Sequence, residues 1–146
     1  MASIRKSTIR TNMTTLIQSN MTGYYYTDTT FNSFGRQGHN VADKTFVIGY
    51  PTSNENGGRQ RAPDGIDVTT EFQIKIAYKI NPHAQADSDL NASDGEEDMA
   101  KLLTNRSTPL HDEIQLRYSG VERETTGTGE FIIVTQRYQI NHYLPL

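Results

Sequence analysis

The segment Thr69–Ile80, TTEFQIKIAYKI, alternates without a break. Phe72, Ile74, Ile76, Tyr78 and Ile80 point one way, and Glu71, Gln73, Lys75, Ala77 and Lys79 point the other. A period of two sustained over this length is a strand with one buried and one wet face. Such a strand needs an apolar layer on one side only, so the chain must build a sheet covered on one face. Pro82 closes the segment, since proline cannot donate to a ladder.

The rest of the chain supplies the partners. Residues 4–20 read as an amphipathic helix, with Ile9, Met13, Leu16 and Ile17 on one face and Ser3 placed to cap it. Gly23 ends it. Residues 23–43 carry three tyrosines suited to a short extended piece, followed by a loop. Lys44–Tyr50 is a strand with Phe46, Ile48 and Tyr50 on one face. The turn-rich PTSNENGGRQRAPDG reads as a loop. Residues 94–106 form a second helix through Met99, Leu102 and Leu103, and Pro109 stops any continuation. Glu113–Tyr118 is a strand with Ile114, Leu116 and Tyr118 inward, and GVERETTGTG carries a hairpin. Glu130–Asn141 is the last strand. Ile132, Val134, Tyr138 and Ile140 lie on one face and Phe131 and Ile133 on the other, which argues for a central place in the sheet. The expected fold is α+β: a mainly antiparallel four- to five-stranded sheet, two helices packed on one face, and long hairpin loops.

The chain has 146 residues, enough for one domain over 1–146 with its own core. Its net charge of −3 argues against a general nucleic-acid binder. No apolar run approaches a membrane span, and the first residues do not read as a secretory signal. Cysteine is absent, which excludes disulfides, zinc–thiolate sites and thiol nucleophiles within this chain. Hydrophobic residues make up only 34%, which implies either long polar loops or a fold completed by neighbouring subunits.

The run Asp87–Asp98, DSDLNASDGEED, holds six acidic residues and no basic one. Counted as a calcium loop, Asp87, Asp89, Asn91, Ser93 and Asp98 fall at ligand positions. Position 6 is Ala92 where the turn needs glycine, and the last ligand is Asp where Glu is usual. A helix start fits better: Asp94 as N-cap, Glu97 three residues on, and acidic residues in the first turn. No metal and no cofactor are expected.

Gly57–Gly58 and Gly127–Gly129 precede strands, so they suit turns and not phosphate loops. His39, His83, His111 and His142 show no metal spacing. Nothing assembles a nucleophile, a base and an orienting group, so no enzyme is expected. Glu122 and Glu124 bracket Arg123 and share a face. Arg59 and Arg61, in NENGGRQRAPDG, read either as part of a solvent loop or as a hairpin arm ordered against a neighbouring subunit or DNA phosphates.

The order helix, strand, GRQRAPDG loop, TTEFQIKIAYKINP, GEEDMAKLL helix and final strands ending GTGEFIIVTQRYQINHY resembles the tail terminator proteins of tailed bacteriophages. The resemblance covers most of the chain, closest over residues 44–143. Residues 21–43 depart from a minimal version of the pattern. It implies an α+β subunit of a homo-hexameric ring in the virion neck, assembled in the host cytoplasm. Such a ring caps the tail tube, ends tail polymerisation and docks a head-side connector, while genomic DNA passes its lumen without sequence-specific binding. Arg59, Arg61, Glu122, Arg123 and Glu124 are then candidates for the subunit interface or the lumen. Two alternatives stand beside it: a head-completion or connector protein at the same junction, and a small non-virion domain that binds a cation or a protein.

Overall fold

The computed structural model describes residues 4–27, 43–49, 51–56, 66–104, 116–125 and 131–144. Along the chain run helix α1 (Lys6–Asn20), strands β1 (Tyr25–Tyr26), β2 (Thr45–Ile48), β3 (Thr52–Glu55) and β4 (Ile66–Lys79), helix α2 (Gln85–Thr104), and strands β5 (Arg117–Thr125) and β6 (Phe131–Leu144). The fold is α+β, as the residue pattern implies. The sheet order is β1-β2-β4-β6-β5, with β3 paired to β4 as well.

The alternating segment is the spine. β4 pairs antiparallel with β6 along its whole length, from Ile66 opposite Leu144 to Lys79 opposite Phe131. The other edge of β4 takes β2 at Ile74–Ala77 and β3 at Val68–Glu71. β5 pairs antiparallel with β6 and forms one side of the sheet. The two-residue β1 pairs parallel with β2 at the opposite side.

The covered face is one core. Ile9, Met13 and Ile17 of α1 join Ala92, Met99 and Leu103 of α2 over Phe46, Phe72, Ile74, Ile76, Tyr78, Val134 and Tyr138. Both helices therefore sit on one side of the sheet. On the other side Val47, Ala77, Phe131 and Ile133 form a smaller apolar cluster. β6 thus carries apolar residues on both faces at its start, as its central place requires.

Several boundaries differ from the sequence expectation. The sheet has six strands, not four or five. Tyr25–Tyr26 gains a ladder from β2, and Thr52–Glu55, expected as loop, continues along β4 beyond Gly49. The first helix starts at Lys6 with Arg5 as N-cap and no side-chain cap; Ser3, the expected cap, lies outside the described residues. Ile4 instead donates its N–H to the Tyr143 carbonyl, which extends it along β6. The second helix begins nine residues before Asp94, so Asp94 is interior and the capping box is not formed. The start is set earlier, where Asn81 Oδ1 accepts the His83 N–H and Ala84 N–H donates to the Asn81 carbonyl. The helix ends at Thr104, and the expected extension to 106 lies outside the described residues. GVERET, expected in a hairpin, is strand. It follows a bulge between Tyr118 and Gly120, and paired residues in β6 hold it in the ladder. Tyr118 lies on the helix side but is 41% exposed.

One polar chain is buried. His142 is fully buried. Its Nδ1 lies 3.1 Å from the Ile4 carbonyl, its Nε2 lies 2.6 Å from Thr70 Oγ1, and Thr70 Oγ1 lies 2.7 Å from Ser53 Oγ. The neutral imidazole satisfies both neighbours: Nδ1–H donates to the carbonyl and Nε2 accepts from Thr70. Burial lowers the proton affinity of the ring below its ordinary value, against the pull of the Ile4 carbonyl. The unfolded chain then takes up the proton first. Stability is full above about pH 6.5 and falls as pH drops through that value toward the folded one. In thermal melts at pH 7.5 and 5.5, the wild-type chain is expected to lose more stability on acidification than His142→Gln. Equal losses would contradict this assignment.

Candidate functional site

Arg59 and Arg61 lie outside the described residues, as do His39, His111 and both glycine pairs. The remaining three candidates sit on β5, and alternation splits them. Glu122 lies on the face away from the helices. Its Oε1 is 2.9 Å from Arg137 Nη2, and Arg137 Nε is 3.7 Å from Glu71 Oε1. Glu71, Arg137 and Glu122 thus span β4, β6 and β5. Lys75 and Glu124 line the same shallow depression of about 280 Å³. Arg123 points the other way. Its Nη1 donates to Asp89 Oδ1 at 2.9 Å and its Nη2 to Ser93 Oγ at 3.2 Å. The guanidinium therefore ties β5 to α2 inside the chain.

A second place was not visible as a motif. α2 approaches the end of β4 closely, because its buried stripe is Ser88, Ala92, Gly95, Met99 and Leu103, small at the near end. A Cβ on Gly95 would fall inside contact distance of the hydroxyls of Tyr78 and Tyr24. These two hydroxyls lie 3.0 Å apart, and the rings meet edge to face at 6.3 Å. Burial raises the proton affinity of both phenols, so both stay protonated near neutral pH.

Above them is a cleft of about 570 Å³ between α2, the end of β4 and the turn after α1. It continues into a second depression of about 660 Å³ that shares Asp43, Lys79, Ser88 and Asn91. No protein-family model matches this chain, and no curated protein matches it. The reading of the cleft thus rests on its own residues.

The α2 wall presents Asp87, Asn91, Asp94, Asp98 and Lys101. At about 100° per residue these positions form one stripe. The spacing i, i+4, i+7, i+11, i+14 would have revealed it, had the acidic run been read at helical period and not at period two. In a helix the alternate oxygens Asp87, Asp89, Asn91 and Ser93 spread around the axis. Among the described residues, no ion pair engages Asp87, Asp94 or Asp98, and no cluster of three or more metal-binding side chains occurs.

The opposite wall is strained. Lys44 has φ 64°, a left-handed conformation that non-glycine residues rarely adopt. Ladder bonds fix it: its N–H donates to the Ala77 carbonyl and its carbonyl accepts from Tyr25 N–H. Asp43 Oδ1 accepts the Lys79 N–H at 2.9 Å. The Lys44 ammonium sits 5.5 Å from the centre of the Tyr24 ring, within range of a cation–π contact. Lys44, Lys79 and Lys101 line the cleft beside Asp43, Asp94 and Asp98. Chemically, it offers carboxylates and ammonium groups in equal number, phenol hydroxyls and an aromatic face.

Proposed function

We propose that this chain is a structural protein of the bacteriophage neck, a tail terminator. In this reading it forms a homo-hexameric ring on the last ring of the tail tube and ends tail polymerisation. It presents the docking surface for the head-side connector, and DNA passes through its lumen. It acts without a cofactor, without catalysis and without a membrane.

What supports the reading is the architecture together with its resemblance in element order. Two helices cover one face of the sheet, and on the other, beside the buried cluster of Val47, Ala77, Phe131 and Ile133, β4, β5 and β6 carry charged side chains around Arg137. Among the described residues β5 is an edge strand, and most of its residues are exposed. A charged strip and an edge strand with no further partner among the described residues are surfaces that a ring subunit can use for its neighbours. A head-completion protein at the same junction would use the same surfaces. A small protein-binding domain outside the virion is the second reading, and the cleft along α2 supports it.

The arginine pair tests the assembly role. Arg59→Ala with Arg61→Ala is expected to leave the melting temperature within a few degrees, since charged side chains in so turn-rich a sequence contribute little to a core. The same double variant is expected to fail to restore infectious particles when it replaces the wild-type gene. Full restoration would remove the arginines from the assembly.

A further inference from the structure

We propose that Asn56 is a site of spontaneous covalent modification, deamidation through the backbone nitrogen of Gly57, and that Asp67 and Thr69 hold its carboxamide back from that reaction. The inference stands apart from the ring reading.

Asn56 and Gly57 form the only Asn–Gly pair in the chain. The reaction is local to such a pair. The Gly57 amide nitrogen attacks Cγ of Asn56, the new C–N bond closes a succinimide ring, and the Cγ–Nδ2 bond breaks. The displaced amide proton leaves with the side-chain nitrogen as ammonia. Water then opens the ring at either carbonyl and yields aspartate or isoaspartate. An amide and a water are consumed, a carboxylic acid and ammonia are released, and nothing is oxidised or reduced. Glycine permits the attack most readily, because no side chain shields its nitrogen.

Ring closure requires the asparagine side chain to swing back over its own C-terminal peptide. The structure aims it across the sheet instead. Asn56 follows the last residue of β3, and its N–H donates to the Asp67 carbonyl at 3.0 Å, so its main chain continues the ladder with β4. Its Nδ2 donates to Asp67 Oδ1 at 2.8 Å, and its Oδ1 accepts from Thr69 Oγ1 at 2.6 Å. Thr69 Oγ1 also lies 2.7 Å from Asn141 Oδ1 on β6, so the contact reaches from the end of β3 across β4 to β6. Asn56 is exposed to water, yet both ends of its carboxamide are engaged by the neighbouring strand.

The product reverses the contact with Asp67. A carboxylate at position 56 has no hydrogen to donate, so two carboxylates face each other where an amide met an acceptor. Isoaspartate also adds a carbon to the main chain at the end of β3.

The test is peptide mapping of chains aged in water enriched in heavy oxygen, which marks every succinimide that has opened. Wild type is followed folded and unfolded in urea, beside folded Thr69→Val, Asp67→Ala and Asp67→Asn, with circular dichroism melts to verify folding. Label is expected at position 56 of the unfolded chain, as both aspartate and isoaspartate. It is expected at least about fivefold more slowly in the folded chain, the scale of two exposed hydrogen bonds. Thr69→Val and Asp67→Ala are expected to age faster than folded wild type. Asp67→Asn, which keeps an acceptor for Nδ2, is expected to age like wild type. Thr69→Val preserves side-chain shape and carries the comparison alone if Asp67→Ala does not fold. Asn56→Asp reproduces one product: it is expected to melt below wild type, and adding Asp67→Asn is expected to restore the melt, because an amide again meets a carboxylate.

An unfolded chain without label at position 56 would overturn the site. Equal rates in folded and unfolded wild type would overturn the restraint, as would folded Thr69→Val and Asp67→Ala chains that age at the wild-type rate. An Asn56→Asp chain that melts with wild type would contradict the opposed carboxylates.

Discussion

Ile76→Ala is expected to lower the unfolding free energy by about 2–5 kcal/mol. Ile76 is fully buried in the C-terminal half of β4. It stands opposite Phe46 on one side and Val134 on the other, both members of the same core. Three strands therefore meet at this side chain beneath the helix layer. Removing it takes apolar surface out of the core and leaves a cavity whose walls are held by two ladders, so collapse is limited. Urea unfolding followed by circular dichroism measures the loss, read as a shift in midpoint at constant slope. A change below about 0.5 kcal/mol, the range of ordinary surface substitutions, would mean that this face of β4 is not the inner one.

Gly95→Val is the second large effect, at about 1–3 kcal/mol of destabilisation from overpacking. Helix propensity alone favours the change, because glycine is the worst residue in a helix interior after proline. The tertiary contact reverses the sign. A side chain at this position meets the hydroxyls of Tyr24 and Tyr78, and Tyr78 is only 2% exposed, so its ring has little room to retreat. The helix must then lift from the sheet and widen the cleft. Adding Tyr24→Phe and Tyr78→Phe removes both obstructing oxygens. The combined variant is expected to recover part of the loss, with a coupling of about 0.5–3 kcal/mol as found for side chains in contact. A Gly95→Val chain as stable as wild type would show that the close approach of α2 does not hold in solution.

Much of the fold was legible wherever one period dominated. β4 is half-buried along its length, and its pattern repeats at two, so face, partner layer and core residues followed directly. β6 showed its central place through apolar residues on both faces. α1 was legible through Ile9, Met13 and Ile17 despite its threonines. Where tertiary contacts replaced local chemistry, the reading failed. The true start of α2 lies in an asparagine turn before Gln85, while the stronger capping pattern at Asp94 sits inside the helix. Its buried stripe there is Ser88, Ala92 and Gly95, residues too small to register as hydrophobic periodicity. β3 and the second half of β5 hold polar residues, and they are strands because neighbours offer them ladders.

The site divides in the same way. Alternation placed Glu122 and Glu124 together, and Glu122 meets Arg137 on the outer face. The same alternation sends Arg123 to α2, a contact 34 residues apart in sequence that no local pattern announces. The cleft depends on Tyr24, Lys44, Tyr78 and Asp94, brought together by four different segments. Only the helical stripe of acidic residues was present in the sequence to be found.

The most direct measurement is electron microscopy of lysates from a virus lacking this gene. The proposal predicts tails of irregular, excessive length beside filled heads that have not joined them, with normal particles restored by the wild-type chain. Heads that fill or leak beside tails of correct length would move the protein to the head side of the junction, and normal virions would contradict a role in the neck.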